Sequence, residues 1–148
     1  MLKCFKKLNW KKIIISTVLG GIALFVLSFV FTAIWSALFP QYNIFSIGGM
    51  RSVDDPVLAW FYAYPFVLAF FFNIAYSILH TAVKEDTLFK QGLAFGITVW
   101  VLFSLSGLFL IWSSMDYGET FLLTKFTGDL VYFAVLGIIA AWTFREFK

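Results

Sequence analysis

The sequence predicts an all-α integral membrane protein: a bundle of four transmembrane helices running up-down-up-down, with both termini on the cytoplasmic side. Three observations predict it. Hydrophobic residues make up 61% of the 148-residue chain and charged residues 13%, against about 45–50% and about 25% in soluble domains. Four apolar runs reach the roughly 20 residues that a helix needs to cross hydrocarbon. Lysine and arginine collect on one side of those runs.

The first run covers residues 13–39 and follows a basic segment. It is too long for the apolar region of a signal peptide, and no small-x-small site precedes Pro40, so it is expected to remain as a span. Pro40 ends it, because proline disfavours helix at the residue before it. The second run is 57–79, with Asp55 placed to cap the helix and Pro56 at its first position. Lys84, Glu85 and Asp86 interrupt the apolar pattern after it. The third run is 92–113. The fourth is 126–144, stopped by Arg145, Glu146 and Lys148. Runs of this length exclude a transmembrane β-barrel, and one domain, residues 1–148, is expected. The short connections 80–91 and 114–125 predict antiparallel neighbours. The connection 41–56 is longer, mixes apolar residues with Gly48, Gly49 and Arg51, and is expected to lie on the membrane surface or fold back over the helices.

Orientation follows from the basic residues. With the N-terminus inside, the cytoplasmic side holds Lys3, Lys6, Lys7, Lys11, Lys12, Lys84, Lys90, Arg145 and Lys148, and the outside only Arg51 and Lys125. That bias predicts N-in and C-in and a multi-pass protein of the cell (plasma) membrane. The net charge of +3 is therefore a topology signal towards anionic headgroups, and no nucleic-acid partner is expected. The single cysteine, Cys4, excludes an internal disulfide, a CxxC redox pair and a cysteine metal cluster.

Polar groups in hydrocarbon are costly, and they locate candidate function. Asp129 leads: counted back from Arg145 it lies about 24 Å along the helix, at the depth of Trp35, Ser36, Tyr62 and Tyr64. It could bind a cation, carry a proton or accept a hydrogen bond. It could instead pair with Lys125, its i−4 neighbour, or start the helix with Thr127 and Gly128. Asn73 is second, at the depth of Thr98, Gly20, Gly21 and Gly137. Small residues there predict a tightly packed layer with Asn73 as interhelical glue; the alternative is a polar step in a substrate path. Pro65 is expected to kink the second helix and leave the Phe61 carbonyl available. An ion or substrate pathway would therefore take Asp129, Asn73, Tyr62 and Pro65. Arg51, Asp54, Asp55, Asp116 and Glu119 form an outer-loop cluster, which could pair internally or present an acidic face. His80, the lone histidine, lacks partners for a metal site; no metal, cofactor or catalytic residue is expected.

Arg51 before the second helix, Pro65 within it, the run Gln91, Gly92, Leu93, Ala94, Phe95, Gly96 opening the third and Gly137 in the fourth resemble small four-helix bacterial and archaeal membrane proteins of unassigned function. The resemblance covers residues 50–144 and implies no activity and no site. The chain lacks the Asn-containing arginine motif of fluoride channels, the first-helix Glu of small multidrug exporters and the glutathione motif of membrane eicosanoid enzymes. The sequence favours a non-catalytic accessory or interaction subunit of a membrane complex, whose partners are the bilayer and either another protein or further copies of itself. A small homo-oligomeric transporter or channel, and then a lipid-modifying enzyme, are the alternatives.

Overall fold

A computed structural model of the protein describes residues 8–40, 51, 54–83 and 85–146. The expectations for Cys4, for Lys3, Lys6, Lys7, Lys84 and Lys148, and for the folding of 41–50 lie outside the described residues. Four helices result, each long and apolar enough to span a membrane: α1 (Trp10–Leu38), α2 (Pro56–Ala82), α3 (Leu88–Ser114) and α4 (Glu119–Glu146). Each of the four predicted apolar runs falls on one of these helices. The helices outrun the apolar runs because a helix continues past the hydrocarbon wherever its polar turns are solvated. α4 starts at Glu119 rather than near residue 126, which removes the reading of Thr127, Gly128 and Asp129 as a helix start.

The helix starts are capped as their sequences allow. The Asn9 side chain accepts from Lys12 N at 3.2 Å, that of Asp55 from Val57 N at 2.8 Å, and that of Thr87 from Lys90 N at 3.3 Å. Each satisfies one of the backbone donors a helix start leaves open.

α2 and α3 are irregular. α2 begins as a 3₁₀ segment (Pro56–Ala63), becomes α-helical over Tyr64–Leu79 and ends in a 3₁₀ turn (His80–Ala82). Pro65 therefore stands at the second α-helical position, where its missing N–H costs little. The Phe61 carbonyl is not left free: it accepts from Tyr64 N across the tighter turn. That corrects the expected open carbonyl and gives its cause. α3 is α-helical over Leu88–Val99 and Ser106–Ser114, with a π-helical stretch, Trp100–Leu105, between them.

Packing follows the glycines. A Cβ on Gly92 would stand 2.5 Å from the Gly137 carbonyl oxygen, and one on Gly96 would collide with the Phe133 carbonyl. Gly92, Gly96 and Gly137 thus bring the α3 and α4 backbones into contact, so the glycine pair is a seam rather than a chance pattern. A Cβ on Gly20 would meet Leu136 Cδ2 at 2.8 Å, and one on Gly21 the Phe66 ring. α1 accordingly packs on both α2 and α4, and α4 on both α1 and α3. Residue numbers rise on one helix as they fall on its neighbour: Lys12 meets Phe144, Gly20 meets Leu136 and Phe31 meets Tyr132.

α2 and α3, joined by the short connection, are not close backbone neighbours. Aromatic rings fill the space between them. Phe95 of α3 lies edge-on to Phe72 at 5.5 Å and to Tyr76 at 4.9 Å, both on α2. Phe133 and Phe144 of α4 close the cluster against Phe72 and Tyr76. The connection itself is clamped by Gln91, whose Nε2 donates to the carbonyls of His80 (3.1 Å) and Val83 (3.0 Å). Lys12 Nζ donates to the Phe144 carbonyl, placing a cation at the C-terminal end of α4, where the helix dipole favours it.

Candidate functional site

Two polar centres lie within the spans. The first is Asn73 on α2. Its Oδ1 accepts from Ser16 Oγ of α1 at 2.7 Å, and its Nδ2 donates to the Ala69 carbonyl at 2.8 Å and reaches Thr17 Oγ1 at 3.5 Å. Asn73 and Ser16 are almost fully buried. The amide is satisfied on both ends and ties α1 to α2 beside Gly20. Thr98, expected in the same layer, is exposed and bonds the Ala94 carbonyl of its own helix.

The second centre is Asp129 on α4. Counted from Glu119 at 1.5 Å per residue, it lies about 15 Å along a helix of about 42 Å. Lys125 Nζ bonds its Oδ2 at 2.9 Å, with the lysine side chain 34% exposed and the aspartate side chain 14% exposed. Ser104 Oγ of α3 donates to the same oxygen. Ser104 is buried within the π-helical stretch. A π turn changes the facing of the residues it contains, and here one of them carries its hydroxyl to α4.

Both donors converge on Oδ2. Oδ1 accepts no hydrogen bond from the described residues, and it is not among the fully buried atoms that lack a partner. Lys125 thus balances the charge of the carboxylate on its Oδ2 side. Tyr64 of α2 and Tyr132 of α4 lie within electrostatic range of it. Tyr132 packs edge-on to Phe31 of α1 at 5.9 Å. Tyr62 is half exposed and turns its ring onto Phe61. One turn before Ser104, Trp100 is 8% exposed, packs edge-on to Phe126 of α4 at 5.0 Å, and its Nε1–H has no acceptor among the described residues.

Asp129 and Asn73 share no partner: one joins α3 to α4 and the other joins α1 to α2. A shallow apolar groove of about 380 Å³ lies along α3 and α4, formed by Leu105, Leu108, Phe109, Trp112, Leu122, Leu123 and Phe126, and it takes in none of Asp129, Ser104 and Lys125. Pro65 is buried against neighbouring side chains.

Arg51 pairs with Asp55 of its own segment at 2.8 Å, while Asp54, Asp116 and Glu119 are exposed. Among the described residues no three His, Cys, Asp or Glu side chains stand close enough to share a metal ion. His80 Nδ1 lies 2.9 Å from the Tyr76 carbonyl and its ring stacks on Tyr76.

Sequence reasoning found Asp129, Lys125 and Asn73 but missed Ser104, Ser16 and Thr17. A serine in mid-span at the same count from its helix end as Asp129 was the available signal. No family model, curated protein or solved structure matches the chain.

Proposed function

We propose that this chain is a non-catalytic, multi-pass subunit of a complex in the cell membrane, crossing up-down-up-down with both ends in the cytoplasm. One observation carries the reading: apart from the Trp100 Nε1–H, the buried polar side chains within the helices bond one another or their own helix backbone. Asn73 pairs with Ser16, and Asp129 with Ser104 and Lys125. Thr98, Ser106 and Thr143 each turn back to a carbonyl one turn earlier. The cleft beside α3 and α4 is apolar. That leaves little with which to conduct a hydrated solute or assemble a reaction, and it suits a protein that offers surface. Only 22–28% of the residues in the most apolar window of each span are buried, so the outward faces meet lipid or a partner helix.

The test is the native mass of gently solubilised protein from its own host. A stoichiometric foreign subunit is the expected result. A monomer or a homo-oligomer overturns the reading and moves weight to a small transporter, which the ionisable Asp129–Lys125 pair within α4 favours. In that case Asp129→Asn should abolish ion- or proton-coupled flux in vesicles without unfolding the protein.

A further inference from the structure

We infer that the π-helical stretch Trp100–Leu105 is a hinge in α3, latched by the Ser104–Asp129 hydrogen bond, about which the C-terminal half of α3 swings against α4 and sets the width of the apolar groove between them. The inference does not depend on the accessory-subunit reading.

The two halves of α3 are held in different ways. Over Leu88–Val99 the glycine seam puts backbone on backbone: Gly92 meets the Gly137 carbonyl and Gly96 the Phe133 carbonyl. Over Ser106–Ser114 the packing is looser. Gly107 has nothing within 4 Å of an added Cβ, only Leu108 of the segment is buried, and backbone contact with α4 is sparse. A clamped half and a loosely packed half thus meet at the π-helical stretch. π winding is rare, occurs mostly as single turns within α-helices and is one of the few causes of a sharp helix kink. Trp100–Leu105 contains neither proline nor glycine, so its own sequence does not oppose ordinary α winding. Two of its side chains reach α4: Trp100 packs edge-on to Phe126 and Ser104 donates to Asp129, while Val101, Leu102 and Phe103 between them are exposed. The Ser104 contact is the directional one. A ring contact tolerates sliding, whereas a hydrogen bond weakens steeply once its angle is lost. Lys125 bonds the same carboxylate oxygen from within α4 and so steadies the group that Ser104 grips. Beyond the hinge, Leu108, Phe109 and Trp112 form one wall of the groove, opposite Leu122, Leu123 and Phe126 of α4. A kink of about 20° acting over the roughly 13 Å of helix from Phe103 to Trp112 carries Trp112 about 4–5 Å.

The experiment uses the full chain with Cys4→Ser in lipid nanodiscs. Spin labels on Trp112→Cys and Leu123→Cys report the distance across the groove, and labels on Phe89→Cys and Trp142→Cys report the end of the bundle that holds the glycine seam; all four positions are exposed. With Ser104 intact, both distances should be narrowly distributed. Ser104→Ala should shift or broaden the groove distance by about 4–5 Å and leave the seam distance unchanged. Asp129→Asn, which keeps an acceptor oxygen for the Ser104 hydroxyl, should move the groove distance less. An unchanged groove distance in Ser104→Ala overturns the latch, and so does a groove distance already broad with Ser104 in place. Equal changes at the two pairs mean that the whole helix has loosened, and they overturn the hinge. Should Ser104→Ala not fold, warming the labelled chain with Ser104 intact takes its place. The groove distance should then spread at temperatures where the seam distance stays fixed, and simultaneous spreading overturns the hinge.

Discussion

Asn73 shows what one amide does where water is absent. Its carboxamide uses both ends, accepting from Ser16 across the helix interface and donating to Ala69 on its own helix. Interhelical bonds of this kind contribute about 1 kcal/mol, because the separated helices also find partners in lipid. Asn73→Leu should therefore lower stability by about 1 kcal/mol, measured by denaturant titration in detergent. A double-mutant cycle with Ser16→Ala should recover most of that loss as coupling; zero coupling would mean that the two residues act separately. Asp55 offers a charge test at the head of α2. The Arg51 guanidinium, and then the Val57 N–H, hold its carboxyl below the ordinary carboxylate range. A depressed folded value means that the stabilisation is complete above the unfolded value of about 3.9 and is lost as pH falls through the folded one. Asparagine caps as well as aspartate, so Asp55→Asn isolates the charge. Its melting temperature should sit slightly below wild type at pH 7, and the gap should close as pH falls through the lowered folded value. The gap should be small at any pH, because the pair is solvent-screened. At this scale the sequence is informative about which residues are out of place in hydrocarbon, and silent about which neighbours reach them. Asp129 and Asn73 stand out as polar letters in apolar runs; Ser104 and Ser16 do not, since a serine that bonds its own backbone is ordinary in a membrane helix.

At the scale of the element, α3 and α4 form the tightest contact, and glycine sets it. Gly92 and Gly137 meet backbone to backbone, where no side chain can yield. Gly92→Ala should force the helices apart and cost about 1–3 kcal/mol, read as a lowered melting temperature. Gly107 lies on α3 with nothing within 4 Å of an added Cβ. Gly107→Ala should instead be neutral or stabilise the helix by about 0.5–1 kcal/mol. Equal effects at the two positions would show that the seam does not hold α3 to α4. These glycines were visible in the sequence, as the Gly92/Gly96 spacing and Gly137, but their partnership was not, because spacing along one helix does not name the helix opposite. Regular spans were legible from hydropathy alone, and their irregularities were not. Pro65 announced a disturbance in α2; the outcome was a change from 3₁₀ to α winding that uses the Phe61 carbonyl. The π-helical stretch of α3 has no proline and no glycine within it. Within it, Trp100 meets Phe126 and Ser104 meets Asp129 on α4, contacts that are tertiary information.

At the scale of the whole molecule, helix order in space departs from helix order in the chain. α2 and α3 are consecutive, yet their backbones keep apart: α2 packs on α1 and α3 on α4, and large rings bridge the space between α2 and α3. Connection length suggested close neighbours because a short loop limits how far two helix ends can part. It does not limit the spacing of their backbones once Phe72, Tyr76 and Phe95 stand between them. Sidedness is the property on which length and packing are silent and charge is eloquent. Of the described basic residues, Lys11, Lys12, Lys90 and Arg145 lie towards one end of the helices, the end where Lys12 meets Phe144 and where the Gly92–Gly137 seam begins. Lys125 and Arg51 lie towards the other, near Asp129 and the start of α2. Positive residues are retained on the cytoplasmic side of a membrane, so the first end should face the cytoplasm. A chain with Cys4→Ser and one new cysteine makes this measurable in intact cells. Asp116→Cys, in the exposed connection between α3 and α4, should react with a membrane-impermeant thiol reagent. Lys11→Cys, exposed at the start of α1, should react only after the membrane is opened. The reverse pattern would invert the protein. It would also place the Asp129 centre nearer the cytoplasmic face, and the Gln91 clamp and the Lys12–Phe144 contact nearer the outer one.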